Sequence, residues 1–148
     1  MKIYVGADHN GFRLRNSLID YLKRAGYDVV DEGDERLDPD DDFSLFAHKT
    51  VTDVLTSEDD EPRGILICGS GQGMCMAANR FKGIRAALIY DRESAKSSRN
   101  DDNSNIACLP ANLLEKDQSN VLVETWLTTK FAGAPRFVRR LNEIDNFN

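Results

Sequence analysis

The sequence predicts an α/β protein built on a doubly wound, parallel, five-stranded sheet. Three observations carry that expectation. β-like and helical stretches alternate along the whole chain with short connections. The run Gly64-Ile65-Leu66-Ile67-Cys68 is continuously apolar, as a strand covered on both faces must be. It closes in Gly69-Ser70-Gly71-Gln72-Gly73, rich enough in glycine to turn directly from strand into helix.

Taken in order, Lys2 to Ala7 is the first strand and Asp8-His9-Asn10-Gly11 a turn. Phe12 to Ala25 follows as a helix, with Phe12, Leu14, Leu18, Ile19 and Leu22 at helical spacing and Gly26 as its stop. Tyr27 to Asp31 offers a second strand. The acidic segment 31–42, interrupted by Pro39, suits neither strand nor helix and reads as a loop. Phe43 to Ser57 forms a helix with Phe43, Phe46, Ala47, Val51, Val54 and Leu55 on one side. After the third strand, Gly64 to Cys68, come a helix over Met74 to Lys82, a strand over Ala86 to Tyr90 and a helix over Asp91 to Arg99 opened by an acidic residue. Asn103 to Leu109 supplies the fifth strand, Leu113 to Thr129 a helix packed through Val121, Val123, Trp126 and Leu127, and Arg136 to Ile144 the last helix. Met74 and Met76 read as core residues.

With 148 residues the chain has the length of one domain, and 41% apolar and 30% charged residues suit a folded globular protein. A formal charge of −6 argues against nonspecific binding to nucleic acid or anionic membranes. The odd cysteine set, Cys68, Cys75 and Cys108, lacks paired ligand spacing. With only His9 and His48 beside it, it points to reduced thiols rather than a zinc site, and no metal is expected. The N-terminus enters a strand pattern directly and no apolar run is long enough to span a bilayer, so a cytoplasmic protein without a signal peptide is expected.

Cys68 and the glycine turn are the candidate chemistry. A turn of this kind at the carboxyl end of a parallel strand aims backbone N–H groups at one point, and open α/β sheets bind ligands there. The same features also suit a tight βα connection beside a buried, inert cysteine, and the residues alone leave both readings open. The turn lacks the Gly-Lys-Ser/Thr ending of a Walker loop, and Met74-Cys75-Met76 after Gly73 departs from the dinucleotide fingerprint, which disfavours nucleotide binding. Arg136, Arg139 and Arg140 form a basic patch suited either to a phosphorylated ligand or to a solvated helix face. Asp8 suits a helix N-cap and His9 a turn.

Val5-Gly6-Ala7-Asp8-His9-Asn10-Gly11, Ile67-Cys68-Gly69-Ser70-Gly71-Gln72-Gly73 and Asn79-Arg80-Phe81-Lys82-Gly83-Ile84-Arg85-Ala86, with Ser94-Ala95, Arg99, Asn105 and the Arg136 to Arg140 segment, resemble the type B ribose-5-phosphate isomerases. That family includes the subunits of galactose-6-phosphate isomerase. The resemblance spans nearly the whole chain, residues 1–148 as one domain. It implies a Rossmann-like three-layer sheet and a homodimer with sites at the subunit interface, association beyond the dimer being left open. It further implies cofactor-free interconversion of D-ribose 5-phosphate and D-ribulose 5-phosphate through a cis-enediolate, or the same chemistry on a six-carbon sugar phosphate. A noncatalytic sugar-phosphate-binding subunit is the alternative of a different class.

On this resemblance Cys68 is the base, and the N–H groups of Gly69, Ser70, Gly71 and Gly73 with the Ser70 hydroxyl face the oxyanion. Asp8 and His9 contact substrate, the histidine near the phosphate. Arg136 and Arg140, four apart on one helical face, hold the phosphate, with segment 136–144 reaching the partner's site. Arg99 and Asp102 are further candidate contacts. The chain departs from the family pattern at three positions: Asp101 stands where many members have the ring-opening histidine, Asn112 where an arginine is expected, and Phe137 where a histidine often follows Arg136.

Overall fold

A computed structural model describes residues 1–147. Five parallel strands, β1 (Lys2–Ala7), β2 (Asp28–Asp31), β3 (Arg63–Cys68), β4 (Ala86–Leu88) and β5 (Ile106–Pro110), lie in the order β2-β1-β3-β5-β4. The helices are α1 (Phe12–Arg24), α2 (Phe43–Thr56), α3 (Gln72–Ala78), α4 (Arg92–Asn100), α5 (Lys116–Thr128) and α6 (Pro135–Asp145). The doubly wound parallel sheet is therefore as predicted.

Side-chain alternation divides the core into two layers. Ile3, Val5, Ile65, Ile67, Ala107 and Leu109 face α1 and α5, where Leu18, Leu22 and Trp126 are buried. Tyr4, Leu66, Cys68, Ile106 and Cys108 face α2 and α3, meeting Phe46, Val51 and Met74. Strands sandwiched in this way must be apolar at every position, which is why β3 shows no polar alternation. Phe137 and Leu141 of α6 are buried but join neither cluster.

Local chemistry sets the helix ends. Asp91 and Ser94 form a reciprocal capping box at α4, with Ser94 N–H donating to Asp91 Oδ1 at 2.7 Å and Asp91 N–H to Ser94 Oγ at 3.1 Å. Asn79 closes α3 by holding both backbone groups of Ala86, each at 2.9 Å, and this ends the helix short of the predicted Lys82. β5 begins at Ile106 rather than Asn103, because Asn103 adopts φ 47° and the Asn105 side chain is bonded to Arg85 N and Gly83 O. Four expected core residues lie at the surface: Met76 is 67% exposed, Leu55 46%, Phe43 41% and Val121 40%.

Candidate active site

β1 hands over to α1 on one face of the sheet while its neighbour β3 hands over to α3 on the other. The carboxyl ends of these strands thus part to leave a crevice, the usual ligand position in an open α/β sheet. β5 borders it, with Cys68 in register with Pro110. Cys68 is the last residue of β3 and is 5% exposed. Gly71 N–H donates to its Sγ at 3.2 Å, placing a donor where it stabilises negative charge on sulfur. Gly71 reaches this position with φ 74°, in the left-handed region, and a Cβ there would meet Leu88 Cδ1 at 2.5 Å. Ser70 Oγ accepts from Gln72 N–H at 3.3 Å, so its own proton remains to donate outward.

Asp8 follows β1 and is 5% exposed; its Oδ1 accepts from the N–H groups of Asn10 and Gly11 at 3.0 and 3.2 Å. Burial holds its carboxyl above the ordinary carboxylate range, against the pull of the Gly11 N–H and His9. The N-cap reading of Asp8 does not hold, since Gly11 occupies the N-cap of α1 without a side-chain bond and Asp8 instead ties the turn before it. His9 is pinned twice by one oxygen: Asp41 Oδ1 lies 2.6 Å from His9 Nδ1 and accepts His9 N–H at 3.0 Å. That bond raises the His9 pKa above its ordinary 6.5 and leaves Nε2 as the free ring nitrogen. Ligating atoms of Asp8, His9 and Asp41 lie within 4.8 Å of one another, but His9 Nδ1 is occupied by its bond to Asp41.

Cys68, Gly69, Ser70, Gly71, Gly73, Asp8 and His9 are thus brought to one crevice. Asp41 and Phe43 join them unforeseen, and Asn112, at the position where an arginine is expected, borders the same turn. A Cβ on Gly73 would meet the Phe43 ring at 2.8 Å, and one on Gly69 would meet Asn112 Nδ2 at 2.9 Å. Asn112 N–H also donates to Gly69 O at 2.9 Å, tying the loop after β5 to the glycine turn.

The remaining candidates lie elsewhere in the chain. Arg99 and Asp101 close α4 at the amino end of the sheet, roughly 17 Å from Cys68 along six-residue β3. Arg99, predicted as a substrate contact, is 5% exposed there and bonds Asn103 Oδ1 at 2.8 Å and Ser104 O at 2.5 Å. Asp102 lies beside Asp101 and feels Arg140; partial burial and the Asp101 charge raise its pKa, and Arg140 opposes them. Arg136 and Arg140 project from α6, both exposed, and Arg136 stacks on Phe137 with its Cζ 4.4 Å from the ring centroid. Cys108 is sealed beside Cys75, and that contact with burial pushes its thiol well up, so Cys68 is the thiol positioned for chemistry in the crevice.

A thiol with a directed N–H donor, a glycine-rich loop and a paired imidazole define an α/β enzyme site suited to proton transfer on a small anionic substrate. The profile of the Ribose/Galactose Isomerase family matches residues 3–144. A probable ribose-5-phosphate isomerase B of Mycoplasma genitalium is 37% identical over 96% of this chain and 92% of its own length. Ribose-5-phosphate isomerase B of Mycobacterium tuberculosis is 32% identical over 99% of this chain and 90% of its own. Among solved structures, the Thermotoga maritima ribose 5-phosphate isomerase superposes with a TM-score of 0.91 at 39% identity, covering 97% of each chain. The Mycoplasma genitalium enzyme with bound ribulose-5-phosphate gives 0.92 at 35% identity, covering 97% of this chain and 93% of that one. The chain belongs to the ribose/galactose isomerase family.

Proposed function

We propose that this protein is an aldose-ketose isomerase interconverting D-ribose 5-phosphate and D-ribulose 5-phosphate through a cis-enediolate. The observation that carries the reading is the Cys68 sulfur, held at the mouth of the glycine turn with Gly71 N–H directed at it. Cys68 removes the C2 proton of the opened aldose and returns it at C1. The O2 hydroxyl proton passes to O1 as the carbonyl moves from C1 to C2, so the conversion is redox-neutral and no external oxidant or reductant enters. The negative charge that forms on the substrate oxygens is met by the N–H groups of the turn and by the Ser70 hydroxyl, whose acceptor lone pair is already engaged by Gln72. The unengaged oxygen of Asp8 meets a sugar hydroxyl, and His9, charged through Asp41, meets the phosphate.

The phosphate anchor comes from a second copy of the chain. This is supported by the placement of Asp101, Asp102, Arg136 and Arg140 a full strand length from Cys68, and by an α6 whose buried Phe137 and Leu141 lie outside both core layers. A two-fold partner presenting its amino end to this crevice would complete both sites at once. Asp101 of that partner, next to Asp102, then stands where the ring must open. Mixing Cys68→Ala and Arg140→Ala proteins after subunit exchange tests the sharing. Each mixed dimer has one intact site, so activity recovers to about a quarter of wild type; sites built within one chain give no recovery.

The small side chain of Asn112 against Gly69 favours a second reading of the substrate, a six-carbon sugar phosphate. Competing ribose 5-phosphate against allose 6-phosphate and galactose 6-phosphate at equal concentration decides between them: preferential consumption of the pentose supports the first reading.

A further inference from the structure

The amino end of the sheet carries a cavity of about 1040 Å³, beside the 101–102 segment that the proposed dimer brings to the partner's crevice but lined by other side chains. Arg63, Arg85 and Arg99 line it together with exposed Lys130. Arg63 opens β3, and its side chain is 9% exposed. Its Nη1 donates to Pro62 O at 3.0 Å and its Nε finds no partner. The nearest carboxylate, Glu61, lies 3.9 Å away on a side chain that is 68% exposed. Arg99 spends its guanidinium on neutral acceptors, Asn103 Oδ1, Ser104 O and Thr129 O.

Other acids nearby are spent or outward. Asp145 pairs with Arg85 at 3.4 Å, Asp59 with the Met1 amine at 3.2 Å, and Asp60 is exposed on the cavity rim. Arg63 thus has only a long, largely solvent-facing pair with Glu61, Arg99 has only neutral acceptors, and Arg85 faces the same space while pairing with Asp145. Burial lowers both buried groups, Arg63 against the pull of Glu61 and Asp59, and Arg99, further lowered by the Arg63 charge, to about 10. Buried charges in folded proteins are ordinarily closely paired, and among the described residues Arg99 has no carboxylate partner and Arg63 only the long pair with Glu61.

We infer that this cavity is a second ligand site, taking a small phosphorylated metabolite whose phosphate lies between Arg63 and Arg99. Guanidinium forks suit a phosphate dianion, and Leu55, Leu127 and Phe131 give the rest of the molecule an apolar wall. The site lies at the amino ends of the strands, apart from the Cys68 crevice at their carboxyl ends. It stands whether or not the isomerase reading holds.

The test is titration calorimetry of pyrophosphate into the full-length protein, with the Arg63 and Lys130 variants separating the cavity's contribution from that of the crevice. Arg63→Met is expected to weaken pyrophosphate binding about ten- to a hundredfold while the KM for ribose 5-phosphate stays unchanged. Without ligand this variant should melt at a higher temperature than wild type, since an unpaired buried charge has been replaced by an apolar chain. Lys130→Gln, a surface change that leaves the core intact, is expected to weaken binding about two- to fivefold. Failure of the wild-type protein to bind pyrophosphate under these conditions would overturn the inference, as would equal affinity in wild type and both variants.

Discussion

Replacing Gly71 by alanine perturbs the fold and the chemistry through the same atoms. Its φ of 74° costs an L-residue about 1–2 kcal/mol. The added Cβ would also lie 2.5 Å from Leu88 Cδ1 and 3.2 Å from the backbone at Leu109 and Pro110. Leu88 can rotate away, but the backbone of β5 is held by β3 and β4, so the turn itself must shift. Together these terms should lower stability by about 2–4 kcal/mol. The shift also withdraws the N–H from Cys68 Sγ, and loss of one charge-assisted bond at a reacting atom is worth about 10- to 100-fold in kcat. Gly26→Ala is the control. Gly26 has φ 91° but open space around its Cβ position, so it should cost only the backbone term, about 1–2 kcal/mol, and leave kcat unchanged. Urea unfolding and steady-state turnover of both variants supply the readouts. If Gly71→Ala loses no more stability than Gly26→Ala and turns over at the wild-type rate, the assignment of this loop to Cys68 is wrong.

Two further substitutions probe separate parts of the account. Asp41 raises the His9 pKa, so the imidazolium persists above pH 6.5 and KM should climb only as pH rises through the elevated value. Asp41→Asn should move that climb to lower pH with little change in the kcat plateau; superimposable KM profiles would remove Asp41 from the site. The sign for folding is the same, because a raised histidine pKa stabilises below the unfolded value and the contribution fades as pH passes the folded one. In the core, Trp126 Nε1 donates to Ser104 Oγ at 2.8 Å, and Ser104 Oγ lies 3.2 Å from Ser98 Oγ. Trp126→Phe should therefore lose about 2–3 kcal/mol in urea unfolding, the measurement that checks it.

Elements were legible wherever their cause was local. The unbroken apolar run of β3 announced a strand buried on both faces, the Asp91-Arg92-Glu93-Ser94 start of α4 carried its own capping box, and Cys68 and its turn are contiguous. Residues were missed where the cause was the order of the strands. Asp41 and Phe43 read as an acidic loop and a helix face, and only the placement of the β2–α2 connection brings them against His9 and Gly73. The position of Arg99 was implicit: helices returning between parallel strands run antiparallel to them, so the end of α4 must fall opposite Cys68. Periodicity also overstated the core at Met76 and Val121, since a helical stripe marks a face without saying how far its edge is covered.

In the proposed mechanism Cys68 moves the proton of the aldose-ketose isomerisation. Incubating wild-type and Cys68→Ala proteins with ribose 5-phosphate in D2O, and following ribulose 5-phosphate formation and loss of the C2 proton signal by NMR, tests it directly. Conversion and exchange are expected of the wild type, neither of Cys68→Ala, with binding of the sugar phosphate retained by the variant. Conversion by Cys68→Ala at the wild-type rate would contradict the assignment of the base, and substrate binding without exchange by the wild type would make this a binding protein rather than an isomerase.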